Sequence, residues 1–518
     1  MPTHAEVIAQ TLASRGVEYA FGLPGGEIVA FIDACRRAGI TFLLTGHEAS
    51  AAWMAQVFGQ IRGVPGVCVS TLGPGATNLV TGVANAMLDR APLLAVTAQI
   101  PEASLATMTH QRLPLNALFS PIAKASVSVG QGDTAALIGR AMDLAAAPRP
   151  GPVHVGLASD IALQVAKDGS PMRTAALPSG GDLASVAARV AKAQRPLLLI
   201  GLGATPAMAP AIGALIDRLR CPFLVTPKVK GIASEDHPLF AGVASGMAID
   251  RDILETVGAA DLVLAIGFDP VECDKTWFAK TEIVALDSIS MREGEYCPME
   301  AIGDIAALID RLDVGAKPWP PDLLEQRRAA IRRMPAEGVS PLRMIEELRR
   351  VFPRDGILTC DVGSHKLFLG QFWRAYEPGT FFMSNGLSGM GFGIPAAIAA
   401  QLAHPDKPVM AVVGDGGMLM MLHDLALIRE LALPVVMVVF SDRSLSLIRV
   451  SEERKGIAPY GVDFCPPDFA AVAQAFGIAG KRAATVAEAR DAVEAALGRR
   501  APLVVDVPID YREYYALV

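Results

Sequence analysis

The sequence predicts an α/β protein of three doubly wound parallel-sheet domains, and three observations carry that prediction. The 518 residues exceed one ordinary core, and a chain of this length favours about three domains. Short apolar runs ending in glycine or a polar residue alternate with stretches of helical period, the rhythm of repeated βα units. Apolar residues make up 52% and charged ones 19%, which suits sheets buried under helices and large subunit contacts.

In the first block, 1–165, the expected strands are YAFGLPGG, ITFLLTGHE, VCVSTLGPG, LLAVTAQ and VHVGL. AKDGSPMRTAALPSGG, within 166–185, has linker composition. The second block, 186–315, opens with PLLLIGLG and runs through FLVTPKVKG, LVLAIGFD and IVALD. PWPPDLLEQRRAAIRRMPAEG, 318–338, mixes prolines with a charged helix and marks the next junction. The third block, 340–518, carries GILTCDVGS, FFMSNG, PVMAVVGDGG, LPVVMVVFSD and PLVVDVPID. Blocks one and three share a cadence of valine-rich strand, glycine loop, helix and proline-led strand, so two related domains are expected to flank a third.

A formal charge of −7 with no lysine or arginine block leaves no electrostatic footprint for nucleic acid or anionic lipid. Small-molecule chemistry is expected instead. Seven cysteines (35, 68, 221, 273, 297, 360 and 465) include no C-x-x-C pair and read as buried thiols in a reducing compartment. MPTHAEVIAQTLASRG has no basic segment followed by an apolar core, and no uncharged apolar run reaches the roughly 18 residues of a membrane span. A cytoplasmic oligomer is the expectation.

The chemistry-bearing signal is VVGDGG at 412–417, followed 27 positions after Asp415 by Asp442 in VVFSDRS. Both acids fall beyond the carboxyl end of an expected parallel strand, where ligands bind. Glycines 414, 416 and 417 let backbone approach a phosphate, but a carboxylate repels one. A divalent cation held by two carboxylates and a backbone carbonyl removes that conflict. For a lone GDG, Asp415 as a helix cap and Asp442 as a turn cap would be the better reading; their pairing at matched strand ends raises the metal reading.

GDGG, with a strand and a short polar pair at this interval, resembles the signature of thiamine diphosphate enzymes. FGLPGGEI at 21–28, HEASAAWMA at 47–55, TLGPGATNLVTGVANAMLDRAPLLAVTAQ at 71–99, DVGSHKLF at 361–368 and SNGLSGMGFGIPAAI at 384–398 extend the resemblance to acetolactate synthase and its close relatives. It implies pyrimidine-binding, central and diphosphate-binding domains, with thiamine diphosphate and Mg²⁺ as cofactors. It assigns Asp415, Asp442 and the Ser444 carbonyl to the metal, although the family has asparagine pairs where this chain has Ser441 and Asp442. It assigns Gly363, Ser364 and His365 to the diphosphate; His365 as a capping or packing residue is the plainer alternative.

The resemblance makes Glu48 the acid that hydrogen-bonds the pyrimidine N1′ and starts proton relay through the cofactor; without it, Glu48 is a helix N-terminal acid favoured by the dipole. It makes Met390 the wedge that bends the cofactor, and the Ser388 carbonyl the acceptor for the 4′-amino group. A methionine among glycines also plugs core gaps. The N–H groups of Gly25 and Gly26 stand where a substrate oxyanion is met, or form a plain turn. Gln111 lines the substrate approach, with His110 where those synthases have phenylalanine. Lys124 either greets a carboxylate or is solvated. Because the family closes its pocket with two chains, a homodimer is the minimum and a homotetramer, as a dimer of dimers, is expected.

The implied reaction is decarboxylation of a 2-oxo acid followed by carboligation to a second carbonyl acceptor; protonation of the same carbon would make a decarboxylase or C–C lyase. DPVE at 269–272 and VDVPIDYREYY resemble the catabolic, flavin-independent acetolactate synthases, and FAD is not expected. Two departures bear on substrate: Glu27 replaces a small residue, and RSLSLIRVSEERK lacks the tryptophan of biosynthetic synthases. A non-catalytic cofactor-binding protein would lack the catalytic acid, and a nicotinamide dehydrogenase would need a complete G-x-G-x-x-G that the chain lacks.

Overall fold

A computed structural model describes residues 1–130, 132–166, 180–245, 250–273, 281–331 and 339–517. Most of the expected linker, 167–179, and the end of the second junction, 332–338, lie outside them. Among the described residues there are three parallel-dominated sheets with flanking helices.

The first sheet contains β1 (Tyr19–Leu23), β2 (Thr41–Leu44), β3 (Gly66–Ser70), β4 (Leu93–Gln99), β5 (Ala125–Ser128) and β6 (Pro152–Ala158), all parallel, in the order β2-β1-β3-β4-β6-β5. The central sheet contains β7 (Gly180–Gly181), β8 (Pro196–Ile200), β9 (Phe223–Val225), β10 (Phe240–Val243), β11 (Leu262–Ile266), β12 (Ile283–Asp287) and β13 (Met299–Ile302). Its order is β10-β9-β8-β11-β12-β13-β7, and the two-residue β7 alone runs antiparallel. The third sheet contains β14 (Ile357–Cys360), β15 (Phe381–Met383), β16 (Val409–Gly414), β17 (Val435–Ser441), β18 (Ala479–Arg482) and β19 (Leu503–Pro508), all parallel, ordered β15-β14-β16-β17-β19-β18.

Numbered within its own sheet, each outer sheet reads 2-1-3-4-6-5. The shared cadence of blocks one and three is thus a shared topology. In both, the strand order reverses between positions 1 and 3, the crevice where open α/β sheets bind ligands. In the central sheet β7, β10 and β13 are strands beyond the four expected. In the outer sheets β5 and β18 are the strands the apolar pattern does not announce. Each is a four-residue edge strand, half-exposed or exposed along its length, and so carries no continuous apolar run.

The chain divides into two compact units. One comprises Met1–Ala175, Gly386–Asp406 and Met420–Leu433, so two segments of the third block pack with the first. Its centre is the helix Glu48–Arg62, started by His47, whose Nδ1 accepts from the Ala49 amide at 3.0 Å, and stopped by Gly63 in the left-handed region. Residues Glu48 to Gly59 of this helix are all buried, against the helices Pro74–Leu88 and Gly393–Ala403. That burial on every side explains why the sequence there lacks a polar face.

The second unit comprises Ala176–Asn385, Lys407–Leu419 and Pro434–Val518, and so holds the central and third sheets. The loop after β9, braced by a fully buried ion pair of Lys230 Nζ and Glu235 at 2.9 Å, joins them: Arg374 donates to the Glu235 carbonyl, the Ala375 amide to Glu235 Oε2 and Lys228 to the Met383 carbonyl. The 318–338 junction opens with the expected charged helix, Pro321–Ile331. Five of the seven cysteines are buried, while Cys297 and Cys465 are exposed. Among the described residues no helix is long and apolar enough to cross a membrane.

Candidate active site

In the first unit the sequence-predicted residues gather at the carboxyl ends of four adjacent strands. Gly25 and Gly26 follow β1, Glu48 follows β2, the TLGPG loop follows β3, and Gln111 lies beyond β4. Glu48 is 3% exposed, and its Oε2 accepts from Asn78 Nδ2 at 2.9 Å. Glu27 Oε2 accepts from the Thr71 hydroxyl at 3.0 Å, tying the LPGG turn to the TLGPG loop. Gly26 is exposed at the start of a single 3-10 turn, Gly26–Ile28. Gln111 is exposed with φ +54°, and a β-carbon at Gly73 would lie 3.0 Å from its own. Lys124 is neither a solvated side chain nor near these loops: half-buried, it donates to the Ala147 carbonyl at 3.0 Å, and burial followed by Arg90 lowers it to about 8.

The loop that carries Ser388 and Met390 also belongs to this unit. Ser388 is exposed in the left-handed region at φ +56°, and Met390 is half-buried. Beside Glu48 on its helix, Ser50 donates to Asp424 Oδ2 at 2.9 Å and meets His423 Nε2 at 3.1 Å. Burial lifts the Asp424 carboxyl to about 7, with the Ser50 hydroxyl opposing.

In the second unit the predicted residues follow the adjacent strands β14, β16 and β17. Asp415 is 3% exposed; its Oδ1 accepts from the Gly416 amide at 2.8 Å and its Oδ2 from the Arg443 amide at 2.7 Å, which bridges two strand ends. Asp442 Oδ2 accepts from the Ser446 hydroxyl at 2.5 Å and Oδ1 from the Ser444 amide at 3.3 Å. Ser444 is buried, its hydroxyl on the Val462 carbonyl. Burial pushes Asp415 up to about 6 and Asp442 to about 7, and the Asp415 charge adds to the latter rise. Among the described residues neither acid pairs with a lysine or arginine side chain, so buried Asp415 and half-buried Asp442 offer hard oxygen donors suited to a cation.

Next to them, Gly363 starts the helix Ser364–Phe372. Ser364 Oγ and His365 Nε2 are buried and lack a hydrogen-bond partner, two polar atoms that face an absent acceptor or donor. Desolvation lowers His365 to about 4, so its imidazole is neutral. β-Carbons at Gly363 and Gly414 would lie 2.8 and 3.1 Å from the His365 ring, so both glycine loops close onto it. Gly417 is tighter still: a β-carbon there would sit 2.2 Å from Asp361 Oδ2. Orphaned polar atoms, glycine loops without side chains and paired acids fit a diphosphate carried on a divalent cation.

Residues 2–118, 183–312 and 361–507 match the thiamine pyrophosphate enzyme N-terminal TPP binding domain, central domain and C-terminal TPP binding domain. The chain is 32% identical to the acetolactate synthase of Bacillus subtilis (strain 168) over 98% of this chain and 93% of that protein. It belongs to the acetolactate synthase-like thiamine diphosphate enzymes. It is also 31% identical to a probable acetolactate synthase large subunit of Methanocaldococcus jannaschii, covering 99% of this chain and 93% of the relative. The catabolic acetolactate synthase of Raoultella terrigena is 30% identical over 98% of this chain and 95% of its own. This acetolactate synthase-like enzyme is therefore a thiamine diphosphate-dependent carboligase.

Sequence reasoning missed the residues that hold its loops: Asn78, Thr71, Asp89, and the Ser50 and Asp424 pair. Asn78 and Asp89 sit inside the quoted 71–99 stretch, where a polar residue on an otherwise apolar helix face is the available signal. Gly417→Ala should destabilise the enzyme by about 1–3 kcal/mol, because its methyl must displace the buried Asp361 carboxylate; urea unfolding checks this, and a neutral effect would mean the loop yields freely.

Proposed function

We propose that the enzyme decarboxylates a 2-oxo acid and joins the remaining carbon unit to a second carbonyl compound, in an acetolactate synthase-like reaction supported by Mg²⁺. The pair of acids at neighbouring strand ends, buried Asp415 and half-buried Asp442, carries this reading. Their carboxylates and the Ser444 carbonyl would hold the metal. Gly414, Gly416 and Gly417, with Gly363, Ser364 and His365, would receive the diphosphate; the unpartnered Ser364 Oγ and His365 Nε2 support that assignment. When bound, thiamine diphosphate supplies the electron sink for loss of carbon dioxide.

The chain's own task is to position groups and move protons. Glu48, buried and oriented by Asn78 through Oε2, would hold the proton that the cofactor's pyrimidine ring needs. Ser388 offers its carbonyl to the amino group, and the left-handed backbone at that residue turns the loop. Met390 would pack against the cofactor. Gly26 N–H and Gln111 meet the substrate carboxylate or developing oxyanion at the mouth formed by the β1, β3 and β4 loops.

A reading without FAD is supported in the central sheet. Glu272, of the DPVE segment, is 4% exposed and its Oε2 accepts from the Leu202 amide at 2.7 Å. A carboxyl of the chain itself thus takes the glycine-loop N–H that a dinucleotide phosphate would use. The resemblance supports domains at 1–165, 186–315 and 340–518, and a site completed by a second chain: a homodimer at minimum, a homotetramer as a dimer of dimers, in the cytoplasm. One observation favours a second reading, in which a proton is the acceptor. Glu27 places a half-buried acid beside Gly26, where it could deliver that proton.

A panel of 2-oxo acids assayed for carbon dioxide release with product identification separates these readings. A ligated 2-hydroxy-3-oxo acid is expected; an aldehyde would favour the protonating enzyme, and no release from any 2-oxo acid would overturn both. Glu48→Gln should leave thiamine diphosphate bound while turnover falls by ~10²–10⁴-fold; unchanged turnover removes Glu48 from the chemistry. Asp442→Ala should weaken cofactor retention at least ~10-fold, measured by equilibrium dialysis with Mg²⁺, and full retention would remove it from the metal set.

A further inference from the structure

The loop that carries Ser388 and Met390 is held at its start by Asp89, a residue outside the assigned site. Asp89 follows the helix Pro74–Leu88 and is 1% exposed. Its Oδ1 accepts from the Gly386 amide at 2.8 Å. Its Oδ2 accepts from Asn85 Nδ2 at 3.1 Å and Gln56 Nε2 at 3.3 Å, and Asn85 also donates to Gln56 Oε1 at 2.8 Å. This buried network links the Glu48–Arg62 helix, the Pro74–Leu88 helix and the first residue of the 386–391 loop. Bonds to an ionised acceptor are roughly twice as strong as neutral ones, and burial raises the cost of leaving any member unpaired.

Packing beneath the loop points the same way. A β-carbon at Gly386 would sit 2.6 Å from the Leu88 β-carbon and its carbonyl oxygen, so the backbone lies directly on the helix end. Gly389 and Gly391 close onto the Trp53 ring, where β-carbons would lie 3.5 and 3.3 Å away. Trp53 projects from the same helix that begins with Glu48, and its indole Nε1 is buried without a partner. A loop with glycines at 386, 389 and 391 loses much backbone entropy on ordering. Something must supply the ordering before a ligand arrives.

We infer that Asp89 is a positioning residue: its carboxylate clamps the Gly386 amide to the end of the Pro74–Leu88 helix, setting the 386–391 loop in place relative to Glu48 in the cofactor-free protein. This rests on Ser388 and Met390 being cofactor contacts for its functional consequence, but the clamp itself does not. Preorganisation of this kind lowers the cost of binding more than it changes the chemical step.

Three variants test it, read by hydrogen exchange of the 386–391 amides in the cofactor-free protein and by thiamine diphosphate titration. In Asp89→Ala, loop exchange should rise at least ~10-fold and the cofactor dissociation constant ~10-fold, while kcat at saturating cofactor changes far less. Asp89→Asn keeps the shape and one acceptor oxygen, and should give loop exchange clearly intermediate between the parent and Asp89→Ala. Gln56→Met removes a donor to the same carboxylate without touching Gly386, so it should lower stability and leave loop exchange near that of the parent. The inference is overturned by parent-like exchange in folded Asp89→Ala, or in Asp89→Asn if the alanine variant does not fold and the asparagine variant shows no intermediate loosening. It is also overturned if Gln56→Met loosens the loop as much as Asp89→Ala. Met390→Ala with unaltered cofactor affinity, beside a loosened loop in Asp89→Ala, would remove the cofactor role and leave the clamp standing.

Discussion

Two carboxyl groups at the ends of adjacent parallel strands, Asp415 buried and Asp442 half-buried, are the constraint on which the second unit depends. Asp415 and Asp442 are both lifted toward neutrality by desolvation, and the charge on Asp415 raises Asp442 further. Hydrogen bonds from the Arg443 and Gly416 amides and the Ser446 hydroxyl hold them in place without neutralising them. Such a pair would call for a nearby cation to stand as two anions near neutral pH. The neighbouring residues are arranged around that demand, with a neutral His365, a partnerless Ser364 hydroxyl and glycines too close to other groups to carry side chains.

The first unit obeys a different constraint, which is to keep an acid dry and aimed. The Glu48–Arg62 helix is buried over its first twelve residues, and its polar members are each tied to a neighbouring element. Glu48 is held by Asn78, Ser50 by Asp424, and Gln56 by Asp89 and Asn85. Three polar attachments on an otherwise apolar helix fix its rotation and height, which side-chain packing alone does less sharply. Orientation of the Glu48 carboxylate follows from that rigidity.

The outer sheets use one topology for two tasks. In each, the loops after strands 1 and 3 flank the switch point. The first sheet puts LPGG and TLGPG there, and the third puts the Gly363 to His365 loop and GDGG. The difference lies in what the loops carry: a buried acid and amides in one, and paired acids beside an unpartnered serine hydroxyl and histidine nitrogen in the other.

Sequence by itself determined the βα rhythm, most buried strands, the kinship of the outer blocks, and the placing of Glu48, Gly26, Asp415 and Asp442 beyond strand ends. It could do so because a fully buried parallel strand must be a continuous apolar run, and a loop at its carboxyl end must break that run with glycine or a polar residue. Tertiary structure alone decided what depends on distant partners. The edge strands β5 and β18 form because a neighbour supplies hydrogen bonds, not because their own residues are apolar. Lys124 left the candidate site because the Ala147 carbonyl lies within reach. Asn78, Ser50 and Asp89 became structural clamps because elements far apart in the chain meet in the fold, and no local pattern encodes a contact across 297 positions such as Gly386 to Asp89.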